Sequence, residues 1–218
     1  MLKRTLEPEV MDTLEEAVAY DDMNHSEVNR CFVEELLATG ELGEQALDLG
    51  TGTARIPLEL CRHTEELKIV AVDMAVAMLE IARRNLEIDG AMHRVRLERL
   101  DAKQLPFPDD HFSLVMSNSI LHHIPEPRTV LREAVRVCQP QGLLFFRDLM
   151  RPDDSATLDQ LVEAYAAQES DHARRMFRDS LHAALRLSEM RELVAEFGFS
   201  PESVRATSDR HWTWSARR

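Results

Sequence analysis

At 218 residues, with 44% hydrophobic and 30% charged side chains, the chain has the makeup of a soluble globular protein that buries one sizeable core. Its formal net charge of −13 argues against nucleic acid and anionic membrane surfaces as partners, because both need clustered Lys and Arg. Cys31, Cys61 and Cys138 fall at no metal-ligand spacing and read as buried thiols of a reducing cytoplasm. The N-terminus lacks the apolar core of a signal peptide, and no apolar run reaches the roughly 18 residues of a membrane span.

Apolar positions at helical spacing over residues 8–40 predict two amphipathic helices. A polar turn, "YDDMNHSE", separates them, with Ser26 as N-cap of the second. From Ala46 the pattern changes. The short apolar runs "ALDLG", "KIVAVD", "RVRLERLD", "FSLVMSNS" and "GLLFFRDL" alternate with helical segments near 54–62, 76–89 and 127–138. Such alternation is the pattern of βα units around a parallel sheet. "LPFPDDH" and "QPQG" mark breaks before the fourth and fifth strands. A polar helical stretch, Asp153 to Arg178, reads as a cap over one sheet edge. Next comes a helix with Ser188 as N-cap of its last part and Gly198 as C-cap. "SVRAT" and "RHWTWS" predict a closing antiparallel hairpin with Trp212 and Trp214 on one side. The whole reads as a single domain, 1–218: a helical cap (1–40), a cofactor-binding core (41–150), and a helical insertion with the hairpin (151–218).

"ALDLGTGTAR" holds two glycines just past the first strand. A dinucleotide fold wants a third glycine where Arg55 stands, and no G-K-[ST] follows for a P-loop. Asp48 instead ends the strand with a carboxylate, which repels phosphate and attracts an ammonium. Asp73 closes the second strand 25 residues later, where an acid accepts hydrogen bonds from ribose hydroxyls. Asp101, at the end of the third strand, can accept from an adenine amine. Any one of these acids could be a plain helix N-cap. Three together describe a ligand with an amine, a ribose and an adenine but no phosphate, namely S-adenosylmethionine.

The stretches "ALDLGTGTAR", "VAVDMAVAMLEIARRN", "RLDAKQLPF", "FSLVMSNSILHHI" and "GLLFFRDL" resemble the consecutive motifs of class I S-adenosylmethionine-dependent methyltransferases over roughly residues 40–150. The resemblance implies an α/β, Rossmann-like fold with a seven-stranded, mostly parallel sheet of order 3-2-1-4-5-7-6, strand 7 antiparallel. By the same likeness, Gly50, Thr51 and Gly52 line the methionine part of the cofactor beside Asp48, and Asp73 holds the ribose. Met74 and Met78 flank the adenine, Asp101 and Ala102 meet its edge, and Ser117, Asn118 and Ser119 face the sulfonium. "AYDDMNHSEVNR" resembles a segment of the quinone-biosynthesis C-methyltransferases, which implies that Tyr20, Met23 and Asn24 close over the cofactor. The loop "GTGTAR" and the acidic insertion depart from that group, so the resemblance carries the fold and leaves the quinone substrate open.

Methyl transfer is an in-line displacement that depends on placing the acceptor, with a general base needed only when a proton must leave. His122 is the candidate base, with Tyr20 the other catalytic candidate. His123, Arg147, Arg151 and Arg178 are candidates for meeting the acceptor. Each has a plain alternative in packing, capping or ion pairing. No metal is expected, since no third ligand at suitable spacing accompanies the histidine pair. A small-molecule acceptor suits the acidic, aromatic-poor chain, and a homodimer is compatible with it. A non-catalytic S-adenosylmethionine or S-adenosylhomocysteine binder remains an alternative, as does, more remotely, an NAD-dependent oxidoreductase.

Overall fold

The alternation of apolar runs and amphipathic segments folds into strands and helices in a computed structural model that describes residues 1–7, 13–22 (Asp22 by its backbone alone) and 26–218. In chain order they are α1 (Leu14–Asp22), α2 (Ser26–Leu37), β1 (Gln45–Leu49), α3 (Arg55–His63), β2 (Lys68–Asp73), α4 (Val76–Ile88) and β3 (Val95–Arg99). Then follow β4 (Phe112–Asn118), α5 (Pro127–Val137), β5 (Cys138–Leu149), α6 (Ser155–Ala166), α7 (Asp171–Ala183), α8 (Leu187–Glu196), β6 (Val204–Ala206) and β7 (His211–Arg217). The seven strands form one sheet in the order β3-β2-β1-β4-β5-β7-β6. β1 runs parallel to β2 and β4, and β7 antiparallel to β6, as the sequence predicts.

The chain packs as two compact units. The first comprises residues 10–118, 129–146 and 216–218 and holds the glycine loop. Its strands read as near-continuous apolar runs because both faces of a parallel sheet are covered. Phe32 of α2 meets Phe145 edge-on, centroids 5.1 Å apart, in a core shared with Ala46, Ile69, Leu114 and Met116. The register sets Asp48 opposite Ala71 of β2 and Met116 of β4, so the carboxylate sits among apolar neighbours.

The second unit comprises residues 1–9, 119–128 and 147–215. The polar stretch after β5 folds as two helices, capped by the side chains of Asp154 and Ser170. Leu158, Leu161 and Val162 of α6 join Leu181 and Leu149 in a small core of their own. Trp212 and Trp214 are both fully buried and pair with Ala206 and Val204.

Three local expectations need correction. Pro140 does not break the chain before β5: the strand starts at Cys138, and the irregularity is absorbed at Gln141 (φ 66), whose N–H donates to the Arg218 carbonyl. The N-cap of α8 is Arg186, whose backbone N–H donates to Glu189, so Ser188 lies inside the helix. Ser26 is the first helical residue of α2, and what precedes it lies outside the described residues. Gly198 does follow the last turn of α8, with φ 87. No helix among the described residues is long and apolar enough to cross a membrane.

Candidate functional site

In the first unit, β1 ends at Asp48-Leu49 and the chain turns through Gly50–Ala54 into α3. The N–H groups of Gly50 and Thr51 both donate to the Val72 carbonyl at 2.9 Å, fastening the loop to the end of β2. Gly50 (φ 71) and Gly52 (φ 54) occupy the left-handed region, which only glycine enters without strain. The Asp73 carboxylate accepts from the N–H of Gly52 at 2.8 Å and of Ala75 at 2.9 Å.

A cavity of about 220 Å³ opens over this loop, with Tyr20, Asp48, Gly50, Thr51, Arg55 and Asn118 in its lining. Three buried polar atoms there have no hydrogen-bond partner: Asp48 Oδ2, Thr51 Oγ1 and Asn118 Oδ1. Each such orphan costs about 1–3 kcal/mol in a finished core, so their convergence fits a polar ligand. Burial pushes the Asp48 carboxyl up to about 7, and the Asp73 charge adds to the rise. Burial, then the carboxylates of Asp73, Asp21 and Asp48, push the Tyr20 phenol up to about 12. The arginines of the lining are already engaged: Arg55 grips Asp21 in a two-pronged pair at 2.9 and 2.7 Å, and Arg62 meets Glu59 and Asp89. The described residues of the lining therefore suit a positively charged group, and their arginines are committed to carboxylates rather than open to a phosphate.

Of the residues singled out from sequence, Tyr20, Asp48, Gly50, Thr51 and Asn118 come together in this lining, with Gly52 and Asp73 joined to it through their hydrogen bond. Met78 packs with Ala17, Ala75 and Ala77, and Met74 is half-buried. Asp101 accepts from the backbone of Lys103 and pairs with its ammonium at 3.2 Å, while Ala102 is buried. Ser117 donates to the Leu49 carbonyl at 2.7 Å and so joins β4 to β1. None of these five lines the cavity. Met23 and Asn24 lie outside the described residues. Asp21, Asn29 and Arg55 line the cavity without having been foreseen. The only hint was the need of Arg55 for a countercharge, and Asp21 beside Tyr20 supplies it.

In the second unit, Ser119 (φ 66) donates its N–H to the Arg147 carbonyl and starts a turn around a buried acid. Asp148 accepts from the N–H groups of Leu121 and His122 and from His122 Nδ1 at 2.5 Å. The other ring nitrogen, Nε2, faces Glu7 Oε1 at 3.4 Å, and His123 Nδ1 lies 3.0 Å from the same oxygen. Burial opposes charge on the His122 ring, but Asp148 and then Glu7 outweigh it and raise its pKa. The same attraction holds Asp148 below the usual carboxylate range despite its burial. With a carboxylate at each nitrogen, His122 is held in place, and the base role expected for it would require Glu7 to withdraw. Arg151 is buried, donating to the Ala184 carbonyl and to Glu189, and Arg147 bonds Thr213 at 3.1 Å. Arg178 pairs with Asp159 on the surface. Glu7, far from the histidines in sequence, had no local signal.

Residues 47–146 match the model of a methyltransferase domain family. The ubiquinone/menaquinone biosynthesis C-methyltransferase of Azotobacter vinelandii is 30% identical over 125 residues, 57% of this chain and 49% of that one. The malonyl-[acyl-carrier protein] O-methyltransferase of Halorhodospira halophila is 37% identical over 130 residues, 60% of this chain and 41% of that one. The chain thus spans about half the length of these relatives or less. A solved S-adenosylmethionine-dependent methyltransferase from Aquifex aeolicus superposes with a TM-score of 0.68 at 17% identity, covering 95% of this chain and 99% of that one, which establishes the shared fold.

Proposed function

We propose that this chain belongs to the class I S-adenosylmethionine-dependent methyltransferases and moves a methyl group from S-adenosylmethionine to a small-molecule acceptor by in-line displacement. The observation that carries the reading is the set of three unpartnered polar atoms, Asp48 Oδ2, Thr51 Oγ1 and Asn118 Oδ1, in one acidic cavity above the glycine loop. When bound, the cofactor supplies an electrophilic methyl on a sulfonium.

The residues present fit that cofactor. Asp48 would meet its ammonium, and the hydroxyl of Thr51 would take a place in the same polar lining. Asp73, its loop contacts already made, would accept from the ribose hydroxyls. Tyr20 stays protonated at neutral pH because its pKa is pushed up to about 12, so it can donate a hydrogen bond across the cavity but cannot act as a base there. The parts proposed for Met74, Met78, Asp101 and Ala102 around the adenine rest on family resemblance.

Small molecules are favoured as acceptors by the net charge of −13, which disfavours a nucleic-acid track. The relatives include a C-methyltransferase and an O-methyltransferase, so likeness leaves the acceptor atom open. The three cysteines are unpaired, in keeping with the cytoplasmic setting proposed here.

Titration calorimetry with S-adenosylmethionine tests the cofactor, and mass spectrometry of a metabolite extract tests the transfer. The expected result is saturable binding, with a species heavier by one methylene appearing only when chain and cofactor are both present. Absence of binding would overturn the reading. Binding without any methylated product would leave a cofactor-binding protein in its place.

A further inference from the structure

We infer that Glu7, His122 and His123 form a binding site for a zinc ion, closed on three sides by protein and open on the fourth. The carboxylate oxygen Oε1 of Glu7 lies 3.4 Å from His122 Nε2 and 3.0 Å from His123 Nδ1, and the three donor atoms all fall within 4.8 Å of one another. Bond lengths of about 2.0–2.1 Å in a tetrahedron put neighbouring ligand atoms roughly 3.3 Å apart, close to both separations. His123 Nδ1 is buried and makes no hydrogen bond: its approach to Glu7 has the right distance and the wrong alignment. Two nitrogens directed at one oxygen without hydrogen-bond geometry is what a cation between them would explain.

The surroundings support the donors as an outer shell does. The Asp148 carboxylate takes Nδ1 of His122, which fixes the ring and turns Nε2 toward Glu7. A carboxylate–histidine pair of this kind orients the ligand and raises its basicity. Ser180 donates to both carboxylate oxygens of Glu7, at 3.3 and 3.2 Å. Glu7 is delivered by an anchored strand of chain. Leu2 N–H bonds the Asp153 carbonyl, Thr5 N–H the His182 carbonyl, and Arg4 the carbonyls of Ala183 and Ile124. His123 and Glu7 keep 19% and 13% of their side chains exposed, against 5% for His122, which leaves a way in for an ion and a position for water or an oxygen ligand. Two imidazoles and a carboxylate suit zinc better than calcium or magnesium, which prefer all-oxygen sets.

The test uses the full, untagged chain, freed of metal by dialysis against chelator and titrated with zinc chloride against a chromogenic chelator. About one zinc per chain is expected, with affinity falling on the order of 100-fold in E7Q and in H123Q and about tenfold in S180A. Circular dichroism checks that each variant is folded. Cobalt substitution gives a second readout that does not depend on the variants: a tetrahedral d–d spectrum without a thiolate charge-transfer band supports the site. No binding by the wild type, equal binding by E7Q and H123Q, or a thiolate band showing that cysteines hold the metal would each overturn it.

Discussion

The two polar centres of this molecule handle carboxylates in opposite ways. Above the glycine loop, Asp48 is buried with one oxygen unpartnered, and its pKa rises. Around His122, Asp148 is as deeply buried yet accepts from three backbone N–H groups, those of Leu121, His122 and Leu149, and from an imidazole, and its pKa falls. Desolvation acts on both acids, and only the partners differ. The paired acid serves the fold of the second unit. The unpaired one is a cost that the first unit carries until a ligand relieves it.

Removing the paired acid should do the most damage. Asp148→Ala leaves an imidazole and three N–H groups without their acceptor in the interior, so urea unfolding should show a loss of about 3–5 kcal/mol. A loss below 1 kcal/mol would mean that the pair does not organise this unit.

Asp48 should behave in the reverse manner. Its folded pKa, about 7, lies above the unfolded value, so its contribution to stability is fully present below about pH 4 and is lost as pH rises through 7. Asp48→Asn should therefore gain on the wild type between pH 4 and 7, by about 2–4 kcal/mol, and level off above. A gap that does not change with pH would remove the contrast between the two acids. The same titration predicts that S-adenosylmethionine, by bringing a cation to Asp48, releases a proton on binding near pH 7. Calorimetry in two buffers of different ionisation enthalpy measures it.

Asp73→Ala should weaken cofactor binding by about 1–3 kcal/mol, the scale of losing hydrogen bonds to a charged group. Unchanged affinity would detach Asp73 from the ribose. The smallest effect belongs to Arg55→Ala. Its pair with Asp21 ties α3 to α1 at the edge of the cavity, but Arg55 is 47% exposed, so about 0.2–1 kcal/mol is expected in cofactor affinity, less in high salt.

Glu7 shows where sequence reading stops. His122 and His123 drew attention because they follow a strand in a recognisable run, whereas Glu7 sits in an N-terminal segment with no periodicity and no motif. Only the anchoring of that segment to α7 and the loop after it brings its carboxylate to the histidines. Arg55 teaches the same lesson from the other side: its identity was enough to argue against a dinucleotide turn, but its partner on α1 could not be read from spacing.

By itself the sequence determined the succession of strands and helices and the glycine turn, because these follow from the periodicity of apolar residues and from the backbone freedom of glycine, both local properties, while the strand order within the sheet came from family resemblance. Tertiary structure alone decided which polar atoms are left without partners and which are paired. Ser117 became a strand tie, Asp148 the anchor of a histidine, and Asp48 a buried acid awaiting a cation. Hydrogen-bond satisfaction depends on what the rest of the chain places within about 3 Å, and no local pattern encodes that.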